Sequence, residues 1–437
     1  MNLKSIIIAA LSCMSSTVMM MAVTVNVDSC VVRALATDAG LKVAVNAVAQ
    51  AKLNRGVART AYFPNFSGSA TTLTSLPDTE AMGMTLRLRG VYMAGINLTQ
   101  PVFAGGKIIA ANKLAGIGVE AAEEQLRLRR MQVIADAESS YWTYVAVLAK
   151  VEMMRSYLAQ IDTAYSQTRT SFDAGMITRN DLLRIEARRS QVKYQLGQVE
   201  NGADLCRMSL CHVMGLEPDT YIEPADADVP VEIPADLENY NLEMRPETAL
   251  LQADVRAKRQ QVNMTRADFL PVVGIQAGWS AYGNIKTMGY AQGPDGNYYP
   301  FSQNTKGTGW SFMASVSVPL WHWGEGIRKV KHAKLDVENA RITLDDNLKL
   351  MNIEIRQAIS NVRTGSELLE SARIAMSQAR LNLSNLITSY NLGMSPLTDL
   401  LDAQSQWHTS YSNLIEAATQ LRIYCVEYMR VTGRLER

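Results

Sequence analysis

The sequence predicts an α+β membrane protein made of two copies of one unit, each copy giving a pair of strands and one very long helix. Three observations predict it. Motifs recur at a constant spacing of 218 residues; short segments alternate apolar and polar side chains; and proline-free stretches from about 107 to 172 and 327 to 390 keep a helical seam.

The repeat is exact in register from strand to last helix. Pro101 recurs as Pro319, since 319 − 101 = 218, and Val213 and Gly215 recur as Val431 and Gly433. Ser-Phe-Asp-Ala-Gly175-Met176 recurs as Ser-Tyr-Asn-Leu-Gly393-Met394, each followed by Asp-Leu-Leu at Asp181 and Asp399. A period this long is a duplicated half-molecule and not a solenoid. The expected organisation is a signal peptide over 1–22, a first repeat over 23–218, a linker over 219–241 and a second repeat over 242–437.

Lys4 followed by the apolar runs Ile6 to Leu11 and Val18 to Val23, with Ala22 near the cleavage point, reads as a secretory signal. Asp28 to about Ala61 is helical in pattern and stops at Tyr62-Phe63-Pro64. The period then changes to two, giving strands over 66–73 and 86–100 in the first repeat and over 272–282 and 308–319 in the second. In the last of these Trp310, Phe312, Ala314, Val316 and Val318 alternate with Gly309, Ser311, Ser315 and Ser317. About ten residues with one greasy and one polar face is the pattern of an outer-membrane strand. Trp321-His322-Trp323 follows as an aromatic girdle, or else as an exposed turn capping a core. Residues 283–308, rich in Gly, Asn and Tyr, read as an external loop.

The long helices would each run roughly 100 Å. In the second, Met376, Ala379, Leu383, Leu386 and Tyr390 keep three- and four-residue steps, as do Val330, Ala333, Val337, Ala340 and Leu344. An offset set, Leu335, Ile342, Ile374 and Leu381, widens the stripe, so each helix is expected to touch two neighbours. Shorter helices over 30–60, 179–214, 246–268 and 397–432 complete the two copies. Between them Pro218, Pro224, Pro230 and Pro234 keep the linker out of any long helix.

Composition excludes several classes. The 437 residues carry a net charge of +1 with no basic stripe for phosphates, which argues against nucleic acid. No apolar run after the signal approaches a membrane helix. The five cysteines form no C-x-x-C pair; Cys206 and Cys425 sit at near-equivalent places and read as small core residues rather than a disulfide. No residue set resembles a catalytic constellation, and neither a cofactor nor a metal site is expected. An open four-stranded sheet in lipid leaves two unpaired edges, so the chain must close its barrel with other copies. Two copies give eight strands and a filled interior; three give twelve and a lumen, which suits Ser, Gly, Asn and Gln on the inward face.

The chain resembles the TolC family of outer-membrane efflux and secretion ducts. The likeness rests on Tyr62-Phe-Pro64, Gln100-Pro101-Val-Phe103-Ala-Gly105-Gly106, Phe172-x-x-Gly175 with Asp181-Leu-Leu, Arg245-Pro246-Glu247, Asp268-Phe-Leu-Pro271, and Tyr390-x-x-Gly393 with Asp399-Leu-Leu-Asp402-Ala. It implies a homotrimer with a twelve-stranded barrel in the outer-membrane lipid and a long α-helical barrel in the periplasm, docked to a periplasmic adaptor protein and an inner-membrane pump. The turns at Gly175 and Gly393 would be the periplasmic tips. By the same resemblance Asp399 and Asp402 match the constriction acids, Tyr390 a gate tyrosine and Asp181 an acid of the first tip. Read without the family, Ser395-Pro396 is a helix cap and Asp399 a first-turn acid that the helix dipole favours. The function expected is a passive, non-enzymatic duct of a tripartite efflux or type I secretion system. The alternatives are a periplasmic coiled-coil scaffold and a metal-handling protein, the latter suggested by 22 Met.

Overall fold

The computed structural model describes residues 23–81, 83–226 and 230–435. The signal peptide expected over 1–22 lies outside the described residues, as do 227–229 of the linker and 436–437 of the second repeat. In chain order the elements are β1 (Val23–Val25), α1 (Val27–Thr37), α2 (Ala39–Thr60), β2 (Asn65–Leu73), β3 (Thr79–Ala81), β4 (Met84–Arg87), β5 (Val91–Ala104), α3 (Lys107–Asp173), α4 (Arg179–Met214), β6 (Ile222–Pro224), α5 (Pro246–Ala267), β7 (Val272–Gln292), β8 (Tyr298–Ser317), α6 (Glu325–Asn391) and α7 (Leu397–Val431). Contacts divide the chain into a sheet unit, Asn46–Glu123 with Leu250–Asp345, and a helical unit holding the remainder.

In the sheet unit β2, β5, β7 and β8 run antiparallel in that order, and β4, carrying β3, pairs with the far half of β7. The strand expected over 86–100 is broken: the ladder stops at Arg87 and resumes at Val91. Gly90 takes a left-handed φ of 65°, Asn284 one of 64°, and the Asn284 side-chain amide donates to the carbonyls of Arg89 (2.9 Å) and Gly90 (3.1 Å). These bonds satisfy the chain where the ladder is interrupted.

Most of the loop expected over 283–308 is strand. The strands expected over 272–282 and 308–319 meet in one long hairpin of 21 and 20 residues, with Gln292 opposite Tyr298 and a turn at Gly296, φ 82°. Tyr290, Tyr298, Tyr299 and Phe301 are good strand residues, and their aromatic β propensity overrides the turn signal of the intervening Gly and Asn. At the other end β8 stops at Ser317, short of Pro319, which cannot donate to a ladder. Below the sheet, Asn112 of α3 donates to the Ala58 carbonyl of α2 at 2.8 Å, and Val262 of α5 packs on Ala333 and Val337 of α6.

The helical unit begins with a capping box: the Asn26 side chain accepts from the Ser29 amide at 2.8 Å while Ser29 Oγ accepts from the Asn26 amide at 3.1 Å. The helix expected over 30–60 is two helices broken at Asp38, whose extended ψ of 121° stops α1. Arg129 holds that junction to α3, with Nη2 2.8 Å from Asp38 Oδ2. The linker is not wholly irregular. Its Ile222–Pro224 pairs in parallel with Val23–Val25, and Tyr141 and Tyr144 of α3 donate their hydroxyls to the Val25 and Ile222 carbonyls at 3.1 and 3.0 Å. The tyrosine bodies fill a core with Cys30, Ile134, Leu210 and Met214, and their tips satisfy the small ladder.

Two further cores hold the long helices. In one, Tyr157, Ile161 and Ala164 of α3 meet Leu182 and Ile185 of α4, Ala379 and Leu383 of α6, and Leu400 and Trp407 of α7. In the other, Ile355, Val362 and Leu369 of α6 meet Leu421, Tyr428 and Val431 of α7. Pro246 opens α5 at a position where its missing amide costs nothing. Arg245 before it, 3% exposed, forks between Glu247 (3.0 Å) and Glu354 of α6 (2.7 Å), and Glu354 also binds Arg430 of α7 at 3.3 Å. Cys30, Cys206, Cys211 and Cys425 are free thiols; burial, and for Cys30 then the Glu138 charge, pushes Cys30 up to about 12, and burial pushes Cys425 up to about 11.

Candidate functional site

Two places carry the arrangement that could make a conduit: the faces of the sheet and the turns at the ends of the long helices. Across the sheet the register sorts side chains without exception over four levels. Phe66, Leu98, Ala277 and Phe312 stand in one row, and Gly68, Ile96, Trp279 and Trp310 in the next row of the same face. The opposite face carries Ser67, Asn97, Gly278 and Ser311 in one row and Ser69, Gly95, Ser280 and Gly309 in another. Period-two alternation along each strand and exact pairing between strands together make one greasy and one polar surface. Gly278 lies tight against its row: a Cβ there would come within 2.5 Å of Asn97 Oδ1, so that amide would have to shift. Trp310 (74% exposed) and Phe312 (79%) leave the greasy face open. β2 and β8 pair on one side each, so both edges of the four-strand run are open along their length.

The turns at Gly175 and Gly393 have the same geometry. In both, glycine takes a left-handed φ, 73° and 69°. Gly175 N–H donates to Phe172 O at 2.8 Å and Met176 N–H to Ser171 O at 2.9 Å; Gly393 and Met394 repeat this to Tyr390 O (3.0 Å) and Ser389 O (2.8 Å). This is the paired bonding that closes a helix C-terminus on a left-handed residue, and only glycine occupies that conformation at no steric cost. Between the turns lies a cleft of about 740 Å³ whose lining includes Thr170, Ile177, Asp181, Tyr390 and Ser395.

The structure brings Asp181 and Tyr390 together on that cleft and leaves Asp399 and Asp402 out of its lining. Asp181 is engaged locally: its Oδ2 accepts from Thr178 N–H at 3.4 Å in the box that starts α4, and from Thr178 Oγ1 at 2.7 Å beside it. The Tyr390 hydroxyl meets Thr168 Oγ1 at 3.0 Å, bonding α6 to α3 just above the turns. Asp399 and Asp402 stand exposed on α7, on the side away from buried Leu400, Ala403 and Trp407. Asp399 accepts from Thr398 Oγ1 at 3.4 Å, and Asp402 has no ion-pair partner among the described residues. The start of α7 differs from the expected cap: Pro396 itself is the N-cap, extended at ψ 160°, so the helix begins at Leu397 and Ser395 lies outside it.

Sequence reasoning passed over Thr168, fully buried. Its signal was available, because it continues the Tyr157, Ile161, Ala164 steps, and a hydroxyl inside an apolar seam needs a partner. It also passed over His408, which stacks on Tyr157 at 5.1 Å and lies 3.0 Å from Met154 Sδ. Burial first, and the Arg188 charge second, hold its imidazole below the usual value.

Comparison with known proteins agrees with this geometry. The family model described as outer membrane efflux protein matches residues 30–215 and 239–434. Outer membrane efflux protein BepC of Brucella suis is 22% identical over 386 residues, which cover 87% of this chain and 79% of that protein. Alkaline protease secretion protein AprF of Pseudomonas aeruginosa is 22% identical over 339 residues, covering 75% and 66%. Among solved structures, the CmeC outer membrane channel of Campylobacter jejuni superposes with a TM-score of 0.74 at 18% identity, covering 93% of this chain and 85% of that one. The outer membrane protein VceC of Vibrio cholerae gives 0.74 at 17% identity, covering 93% and 96%. At these identities the solved structures speak for the fold.

Proposed function

The chain belongs to the outer membrane efflux protein family, and from that membership we propose that three copies close a twelve-stranded barrel in the outer membrane and continue as a helical barrel through the periplasm. The assembly is a passive duct for what an inner-membrane pump and its adaptor protein deliver. One observation carries the reading: four strands in register, greasy on one face and polar on the other, with two open edges. In lipid each unpaired backbone group costs several kcal/mol, so the edges must meet those of other copies. Eight strands leave an interior filled by side chains and twelve leave a lumen; Ser67, Asn97, Gly278 and Ser311 suit water.

The helices support the same closure. Leu335, Ile342, Ile374 and Leu381 of α6 are 51 to 66% exposed in the single chain, where a second apolar stripe would meet a neighbouring copy. The two halves of the duplicated sequence would then alternate around the axis. At the entrance, Asp399 and Asp402 line the constriction, while Tyr390 ties α6 to α3 through Thr168 and Asp181 starts α4 at the first tip, both on the cleft between the turns. BepC is an efflux protein and AprF a secretion protein by name; this chain serves one of these two kinds of export. A scaffold or metal-handling role would leave the two-faced sheet without a use. Single-channel recording of the purified complex in planar bilayers tests the duct. Discrete conductance steps are the expected result, and a protein that inserts without conducting is the contrary one.

A further inference from the structure

The helical part of the sheet unit carries an open groove of about 790 Å³ between the last turns of α2, the first turns of α3 and the middle of α5. Its charge is one-sided. Arg55 and Arg59 of α2, Lys113 of α3 and Arg256 and Arg259 of α5 line it, against Glu120 alone. Glu120 is taken by Arg256 at 2.8 Å. Arg55, Arg59, Lys113 and Arg259 have no ion-pair partner among the described residues. Four uncompensated cations thus converge in a chain whose net charge is +1. Such convergence is self-repelling unless an anion occupies it.

The groove also carries exposed apolar side chains and open space. Phe63 and Ile109, 68 and 53% exposed, belong to its lining, and at Gly116 an added Cβ would meet nothing within 4 Å. Its depth follows from the chain. Arg59 precedes the first residue of β2, Asn65, by six positions, and Arg55 is one turn further down, so at 1.5 Å per residue they lie roughly 10 to 15 Å below the sheet. Polar headgroups extend some 5 to 8 Å beyond each side of the hydrocarbon, and an extended arginine reaches several ångströms towards them. Phosphate matches the guanidinium fork, and acyl chains match Ile109 and Phe63.

We infer that this groove is a binding site for an anionic phospholipid of the periplasmic leaflet, its phosphate held by Arg55, Arg59 and Arg259 and its acyl chains laid over Ile109 and Phe63. The lipid neutralises the cluster and joins the helical collar to the membrane.

Native mass spectrometry of the delipidated, detergent-solubilised complex tests it, with dioleoylphosphatidylglycerol and dioleoylphosphatidylcholine added back in parallel. Phosphatidylglycerol is expected to bind at one per chain and at least ten-fold tighter than phosphatidylcholine. Arg55→Ala with Arg59→Ala lowers that affinity about thirty-fold, near five-fold for each cation removed. Gly116→Trp fills the groove and abolishes binding without removing a charge. If the double variant fails to assemble, Arg259→Gln alone, with a five-fold loss, carries the test. Equal retention of both lipids, or binding unchanged in the variants, overturns the inference. So does loss of binding in the arginine variants with full binding in Gly116→Trp, which would mean diffuse attraction and no groove. Displacement by 10 mM inorganic phosphate would mean a free-anion site and overturns it as well. A complex that conducts normally yet binds no lipid overturns this inference and leaves the duct standing.

Discussion

Ala314 and Ser315 are adjacent on β8 and face opposite ways, so one charge placed at each separates the two surfaces of the sheet. Ala314 pairs with Ile275 on the greasy face, and Ser315 pairs with Gly274 on the polar one. An outer-membrane barrel has an apolar band about 25 Å tall and strands tilted near 40°, so each residue climbs roughly 2.5 Å and about ten residues span the band. Counted from Val318 at the helix-side end, Ala314 lies about 10 Å in, close to the midplane. Arginine there costs roughly 2 to 4 kcal/mol per chain, and about 6 to 12 kcal/mol for three copies, whereas at Ser315 it meets water and the loss is small. Reversible unfolding from phospholipid vesicles in urea measures both. An Ser315→Arg loss equal to or larger than that of Ala314→Arg would refute the assignment of the faces.

Asp399→Ala with Asp402→Ala is expected to weaken cation preference and trivalent-cation block in planar bilayers, because in the proposed trimer six carboxylates around a narrow opening would be relieved by a bound cation; unchanged selectivity in an assembled variant would reduce both acids to helix-start residues. Gly393→Ala is expected to destabilise by about 1 kcal/mol, since its φ of 69° is left-handed, while Gly116→Ala, in a helix interior with open space, stabilises by about 0.5 to 1 kcal/mol; thermal melts of the two variants should move in opposite directions. Stability should also fall on mild acidification. His408 is held below its ordinary value by burial and then by Arg188, so below about pH 6.5 the unfolded chain takes a proton that the folded one resists. His408→Gln is expected to flatten that limb of a melting curve taken from pH 7.5 downward, and an unchanged limb would place the sensitivity elsewhere.

Periodicity made the long helices legible: α3 runs Lys107–Asp173 against the reading 107–172, because no proline interrupts it, and the seam residues Ala379 and Leu383 of α6 are buried as expected. Faces of the strands were legible for the same reason, since side-chain alternation is a property of the strand alone. Strand length was not. Gly and Asn between 283 and 308 signalled a loop, and only pairing of Tyr290 and Tyr298 with their opposite strands extends the hairpin. The break at Asp38 escaped because it depends on Arg129, distant in sequence. At the tips, glycine spacing located both turns, and Asp181's engagement with Thr178 is a local cap three residues long, but the Thr168–Tyr390 bond depends on how neighbouring helices meet, which a residue pattern does not specify.

The number of chains in the detergent-solubilised complex tests the central claim most directly, because the two open sheet edges can be sealed in few ways. Native mass spectrometry or light scattering corrected for detergent is expected to give three chains, matching twelve strands around a wet lumen. A stable monomer, or a dimer with eight strands and a filled interior, would contradict the account.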